Sequence, residues 1–177
     1  MVIVWGVALL ASPKLLSAPV SPRVDREPEI LALTRALESG GAAHPHAHRV
    51  ARAIEGVTRG TDVDPWLVVA IIRYENRELV RTSTSSAGAT GIMQVMPHWV
   101  RSFRGTCGHD LTHIETNICM GVRVLRVHLA DARGSETHGL LAFNGCKSEA
   151  CRTYPGLVLR RRSALRLAFA PTTNGRL

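Results

Sequence analysis

The chain has 177 residues and a mass of 19.2 kDa, with 45% apolar and 20% charged residues. It suffices for one domain with a proper core, and excludes two large domains, a fibrous chain or a disordered one. Twenty-two Lys and Arg against 14 Asp and Glu give a formal net charge of +8 and a pI near 10.3, which favours a polyanionic partner (nucleic acid, anionic lipid or wall polymer) without choosing among them.

Taken in chain order, Val2 to Ala11 is an apolar run, long enough for the core of an export signal and too short to cross a bilayer as a helix. Ser17 and Ala18 supply small residues near a cleavage point. Residues 1–18 therefore read as a signal peptide, and the protein as periplasmic or located in the cell envelope; the plainer alternative is a buried N-terminal strand. Residues 19–46, with Pro19, Pro22, Pro28 and Gly40-Gly41, read as a flexible linker holding at most a short helix from Glu29 to Glu38. His44, His46 and His48 alternate in this stretch and read as solvated linker, so no metal site is assigned.

From Arg49 the pattern turns helical: Val50, Ala53, Ile54 and Val57 share one face, and Gly60 ends the helix. Asp64-Pro65 reads as an N-cap followed by proline at the first helical position. The apolar run Trp66–Ile72 behind it predicts a central helix. Residues 76–91 read as loop or short strands. Further helices are expected from near Pro97, from His113 to Ala132 with a buried stripe of Ile114, Ile118, Val122, Leu125 and Leu129, from Glu136 to Phe143, and from Tyr154 to Ala168. The expected fold class is mainly α. Residues 47–168 form the expected domain and 169–177 a tail.

Glu75 continues the apolar stripe of Val68, Ile71 and Ile72. Burial raises a carboxyl pKa, and a carboxyl still protonated near neutrality can act as a general acid. The bland alternative is a carboxylate emerging at a helix end, or paired with Arg73 or Arg77. Downstream, Gly88-Ala89-Thr90-Gly91-Ile92-Met93-Gln94-Val95-Met96-Pro97 sets Gln94 among apolar neighbours, and Ala142-Phe143-Asn144-Gly145 sets an amide at a helix end. Neutral amides beside apolar surface suit a carbohydrate, which is bound through uncharged bidentate hydrogen bonds.

These segments resemble the lytic transglycosylase family of SLT type, whose fold is that of the goose-type lysozymes. Asp64 to Asn76 is similar to the motif carrying the catalytic glutamate, Ser85 to Pro97 to the second and most specific motif, and Asn117-Ile118 with Gly121 and Leu125 to the following helix. Ala142 to Gly145 is similar to the third motif, and Tyr154 to the late aromatic. Asn76 stands where the family has serine, Phe143 where it has tyrosine, and Gly145-Cys146 where it has Ala-Gly. The cysteine-bearing stretch from Asn144 to Tyr154 looks like the small transglycosylases of secretion systems and pili.

The resemblance implies Glu75 as the catalytic acid, with Met93, Gln94, Asn144, Tyr154 and Asn76 as substrate-binding residues and no cofactor. It implies cleavage of the β-1,4 bond between N-acetylmuramic acid and N-acetylglucosamine in peptidoglycan, leaving 1,6-anhydro ends. Glycosidases ordinarily use two carboxylates, and Glu78 is the only other acid close by, expected to be solvated. The expected partners are glycan strands and secretion-system or pilus components, with no specific nucleic acid and a monomeric state. A lysozyme-type muramidase, a phage lysis or entry enzyme, an inactive wall-binding protein and a DNA-binding protein are the alternatives. For the four cysteines, the sequence-local choice among three connectivities is Cys107–Cys119 and Cys146–Cys151; the alternative is reduced, buried thiols. The late arginines Arg160, Arg161, Arg162 and Arg166 read as a solvated face or a surface for an anionic partner.

Overall fold

A computed structural model describes residues 26–145 and 148–171. Among the described residues seven helices occur in order: α1 (Glu27–Glu38), α2 (His44–Thr58), α3 (Pro65–Glu75), α4 (Val100–Cys107), α5 (Ile114–Asp131), α6 (Glu136–Asn144) and α7 (Tyr154–Phe169), with 3-10 turns at Pro97–Trp99 and Glu149–Thr153. Among the described residues the extended pairing is limited to isolated bridges of Thr90 with Thr84 and Val95.

Helix α3 is the axis. Asp64 caps it by accepting from Trp66 N at 2.9 Å, Pro65 fills its first turn, and Trp66 through Ile72 are all buried. A helix apolar on every side can only be stable enclosed. It packs against α7, α1 and α2, while α5 lies against α2, α4 and α6. Each of Val68, Ile71 and Ile72 is fully withdrawn from water, contributing about 1.5–3 kcal/mol apiece. On α5, Ile114, Ile118, Val122 and Leu125 are buried and Leu129 is half-buried.

Residues 19–46 were expected to be a linker, and from Glu27 onward they are not. Ala32, Leu33, Ala36 and Leu37 of α1 are fully buried against the rest of the core. Their spacing of one, three and four residues makes a single helix face, which outweighs the flanking prolines and glycines. The alternating histidines lie in the first turns of α2. His46 donates from Nε2 to Leu79 O at 2.9 Å, and His44 pairs with Glu38. The expected leader and most of the tail lie outside the described residues, as does the Cys146–Cys151 pairing.

The late arginines are largely internal ties. Arg162 forms a bidentate pair with Glu136 in the first turn of α6 (2.6 and 3.0 Å), Arg166 reaches Asp64 at 3.2 Å, and Arg161 donates to Arg73 O at 2.7 Å. They fasten α7 to both ends of α3 and to the start of α6. Cys107 at the end of α4 is bonded to Cys119 on α5.

Candidate active site

Glu75 is the last residue of α3 and is half-buried. It opens onto a cavity of about 550 Å³ whose lining includes Met93, Gln94, Asn144, Trp99, His128 and Phe143. Loss of hydration on burial pushes the Glu75 carboxyl above its ordinary range, and the side chains of Tyr154 and Asn144, donating toward it, pull it partly back. Tyr154 stands behind Glu75, 2% exposed, and its phenol is driven well above its ordinary range by burial and by the Glu75 charge. Its hydroxyl nevertheless makes no hydrogen bond of good geometry. We read the Tyr154–Glu75 contact as loose: near enough to act on both proton affinities, short of a formed bond. Tyr74 meets the Tyr154 ring edge-on at 5.0 Å and holds it in place.

The second motif is a tight loop clamped from α5. Asn117 accepts from Met93 N at 2.8 Å and donates to Thr90 O and Leu111 O, each at 2.9 Å. Gly91, at φ +82°, lies so close to this clamp that a Cβ there would stand 2.2 Å from Asn117 Nδ2. Gly121, one turn along α5, makes room for Met93: a Cβ would be 2.5 Å from its Sδ. Gln94 has a positive φ of 49°, its amide donates to Gly91 O at 2.8 Å, and its side chain lines the cavity. Asn144 ends α6, where Gly145 takes the left-handed conformation that terminates the helix.

Glu75, Met93, Gln94 and Asn144 thus line one cleft, with Tyr154 one layer behind. Asn76 departs from the expected role. It is 8% exposed and does not line the cleft; its carboxamide accepts from Val80 N at 2.9 Å and donates to Val80 O at 2.8 Å. It shapes the loop after α3, at the position where the resemblance implied a substrate contact. Glu78 is exposed and away from the cleft.

The family model for the transglycosylase SLT domain matches residues 52–153, more than half of the chain. The chain belongs to the transglycosylase SLT family. It is also 36% identical over 104 residues to a protein named transglycosylase from Enterobacteria phage PRD1, covering 56% of this chain and 37% of that protein. Within the SLT domain the Glu75 helix end and residues of the 85–97 loop line one cavity.

Trp99, His98 and His128 also line the cleft and were not singled out from the sequence. Their signal was faint: two lie just after a recognisable motif, and His128 sits in a helix read only for its apolar stripe. Asn117 was noted as a motif residue, but nothing in its spacing disclosed that it clamps the loop.

Proposed function

We propose that the protein is a lytic transglycosylase that cuts the β-1,4 bond between N-acetylmuramic acid and N-acetylglucosamine in peptidoglycan and leaves 1,6-anhydro ends. One observation carries this reading: Glu75 is the only carboxylate among the described residues lining the cleft. A two-carboxylate hydrolysis has no second acid there, whereas a single acid suffices if the substrate brings its own nucleophile. Glu75, protonated, gives its proton to the glycosidic oxygen as the bond from C1 to that oxygen breaks. The resulting carboxylate then accepts the proton of the muramic C6 hydroxyl while that oxygen bonds to C1. The net change moves a proton between two sugar oxygens and regenerates the acid. Keeping nucleophile and electrophile in one ring supplies the entropic advantage. Asn144 and Gln94 are placed to hold hydroxyl and acetamido groups.

Digestion of purified murein with wild type and Glu75→Gln, analysed by mass spectrometry, tests the reading. Muropeptides one water lighter than their reducing counterparts support it. Reducing ends would make the protein a lysozyme-type muramidase instead, and no release would make it a binding protein.

The reading extends to an exported protein acting in the cell envelope, where the Cys107–Cys119 bond suits an oxidising compartment. Its role there would be local opening of the wall during assembly of a secretion or pilus apparatus. The similarity to the phage PRD1 protein favours a second reading, entry or lysis by a phage. Detection of the protein in envelope fractions of uninfected cells supports the first, and its presence only in infected cells or virions the second.

A further inference from the structure

One wall of the cleft is aromatic, and the chemistry at Glu75 does not use it. Trp99 closes the 3-10 turn Pro97–Trp99 and is half-buried. Its indole lies nearly parallel to the Phe103 ring, with centroids 5.9 Å apart and planes 13° apart, and His128 meets it edge-on at 5.8 Å and 90°. Phe103 does not line the cavity, whereas Trp99 and His128 do. The His98 ring lies tilted by 37° to the indole, with centroids 5.2 Å apart, so the indole is held among three rings, one of them from a different helix, and still lines the cavity onto which Glu75 opens.

Trp99, Val100, Phe103 and Cys107 all pack against the core, and Cys107 is covalently joined to α5, so packing is shared among four side chains and part of the indole is left on the cavity. Nor does the wall suit a carboxylate of the peptide stems. Burial lowers the proton affinity of His128, with Asp131 opposing this only as the smaller influence, which disfavours a charged ring there. What remains is a flat, ring-held indole surface with the Gln94 side chain along the same cavity. That combination matches a pyranose ring, which presents a face of C–H groups and a polar rim. Such platforms contribute without ordering cost, because the ring is already held.

We propose that Trp99, held among the rings of Phe103, His98 and His128, is a stacking platform for one N-acetylated sugar ring of the bound strand, and so a residue that sets affinity for glycan. This rests on the carbohydrate reading of the cleft given above.

The test uses the full chain carrying Glu75→Gln, which binds without turnover, and the β-1,4-linked N-acetylglucosamine hexasaccharide as probe. Of the three tryptophans, Trp66 is 5% exposed in the core and Trp5 belongs to the expected leader, so the emission change on binding should come from Trp99. It should vanish in Glu75→Gln/Trp99→Phe while affinity stays within about threefold, and Trp99→Ala should weaken binding about tenfold or more. In the active enzyme, Trp99→Ala should raise KM for murein with a smaller change in kcat. If Trp99→Ala does not fold, the phenylalanine variant decides, since an emission change that persists there rules out contact with Trp99. If the parent binds the hexasaccharide and Trp99→Ala binds it equally well, the platform is wrong and the transglycosylase reading stands. If the parent binds nothing and wild type releases no muropeptides, that reading fails and the platform falls with it.

Discussion

The side-chain carbonyl of Asn117 accepts the backbone N–H of Met93 at 2.8 Å, while the amide of the same side chain holds the carbonyls of Thr90 and Leu111. One residue of α5 thus satisfies three backbone groups of the segments around the second motif, and it is only 1% exposed. Asn117→Ala would orphan all three, at a cost of about 3 kcal/mol or more. Asn117→Asp should be no rescue, because it turns two donors into acceptors facing carbonyls. Urea unfolding should show a large loss in both variants, and activity should fall further than residual folding explains, because Met93 and Gln94 lose their anchorage.

Gly91 and Gly121 separate two kinds of glycine. At Gly91 both the positive φ and the contact with Asn117 and Leu111 O forbid a side chain. Gly91→Ala should therefore destabilise by about 2 kcal/mol or more and abolish cleavage. Gly121 lies inside α5, where alanine is intrinsically the better residue, but a methyl would stand 2.5 Å from Met93 Sδ and 2.7 Å from its backbone-anchored Cβ. Gly121→Ala should therefore displace Met93 and its loop, lowering both melting temperature and activity, without the φ penalty of Gly91→Ala. Thermal unfolding read beside murein release should show the smaller loss of stability in Gly121→Ala.

The raised proton affinity of Glu75 sets the sign of two pH effects. In the proposed role of general acid Glu75 must start protonated, so the fall of activity on the alkaline side should lie above the range of an ordinary glutamate. Stability follows the same equilibrium. A carboxyl whose affinity for its proton is higher folded than unfolded helps the fold at low pH and loses that contribution as pH rises through the folded value. Glu75→Gln should accordingly be inactive but more stable than wild type near neutrality, with the difference closing as pH drops below the unfolded glutamate range. Chemical unfolding at several pH values checks it.

Most of the helical frame was readable because α3 and α5 combine strong start signals with unambiguous apolar patterns. Asp64-Pro65 before Trp66–Ile72 is one such case. Helix α1 is hard to read from the sequence because prolines and glycines flank a face made of only a few apolar residues, and its burial depends on neighbours far along the chain. At the site, Glu75, Met93, Gln94 and Asn144 stood out by type and position. Asn76 did not declare its role: an asparagine after a catalytic-type glutamate looks like a ligand residue, and only the turn to Val80 shows its amide taken up by backbone. The Trp99–His128 pair was invisible for the opposite reason, since its members are 29 positions apart and meet only where α5 crosses the start of α4.

Tyr154 acts on Glu75 without a formed hydrogen bond. Removing the hydroxyl should therefore cost little stability, because no well-made interaction is lost and a buried unpaired polar atom disappears. Its effect on Glu75 is the measurable part. Tyr154 lowers the carboxyl's proton affinity, so Tyr154→Phe should move the alkaline limb of the pH–rate profile further upward while lowering the rate at its optimum. A melting temperature near wild type together with a shifted profile would establish Tyr154 as a positioning residue. An unshifted profile would reduce it to packing.

The Cys107–Cys119 bond lies two residues beyond Asn117 and two before Gly121, on the helix that clamps Met93. It also holds the end of α4, whose start carries Trp99. Its sequence separation of 12 residues closes a short loop, for which the expected contribution is about 2–3 kcal/mol. The double variant Cys107→Ala/Cys119→Ala should show a melting temperature several degrees lower. Because α4 is short and none of its residues is fully buried, the freed end should loosen first. The aromatic wall should then suffer before Glu75 does, so KM for murein should rise more than kcat falls. An unchanged melting temperature would mean that packing of Val100 and Phe103 alone secures α4, and a fall in kcat at constant KM would place the strain at the Asn117 clamp instead.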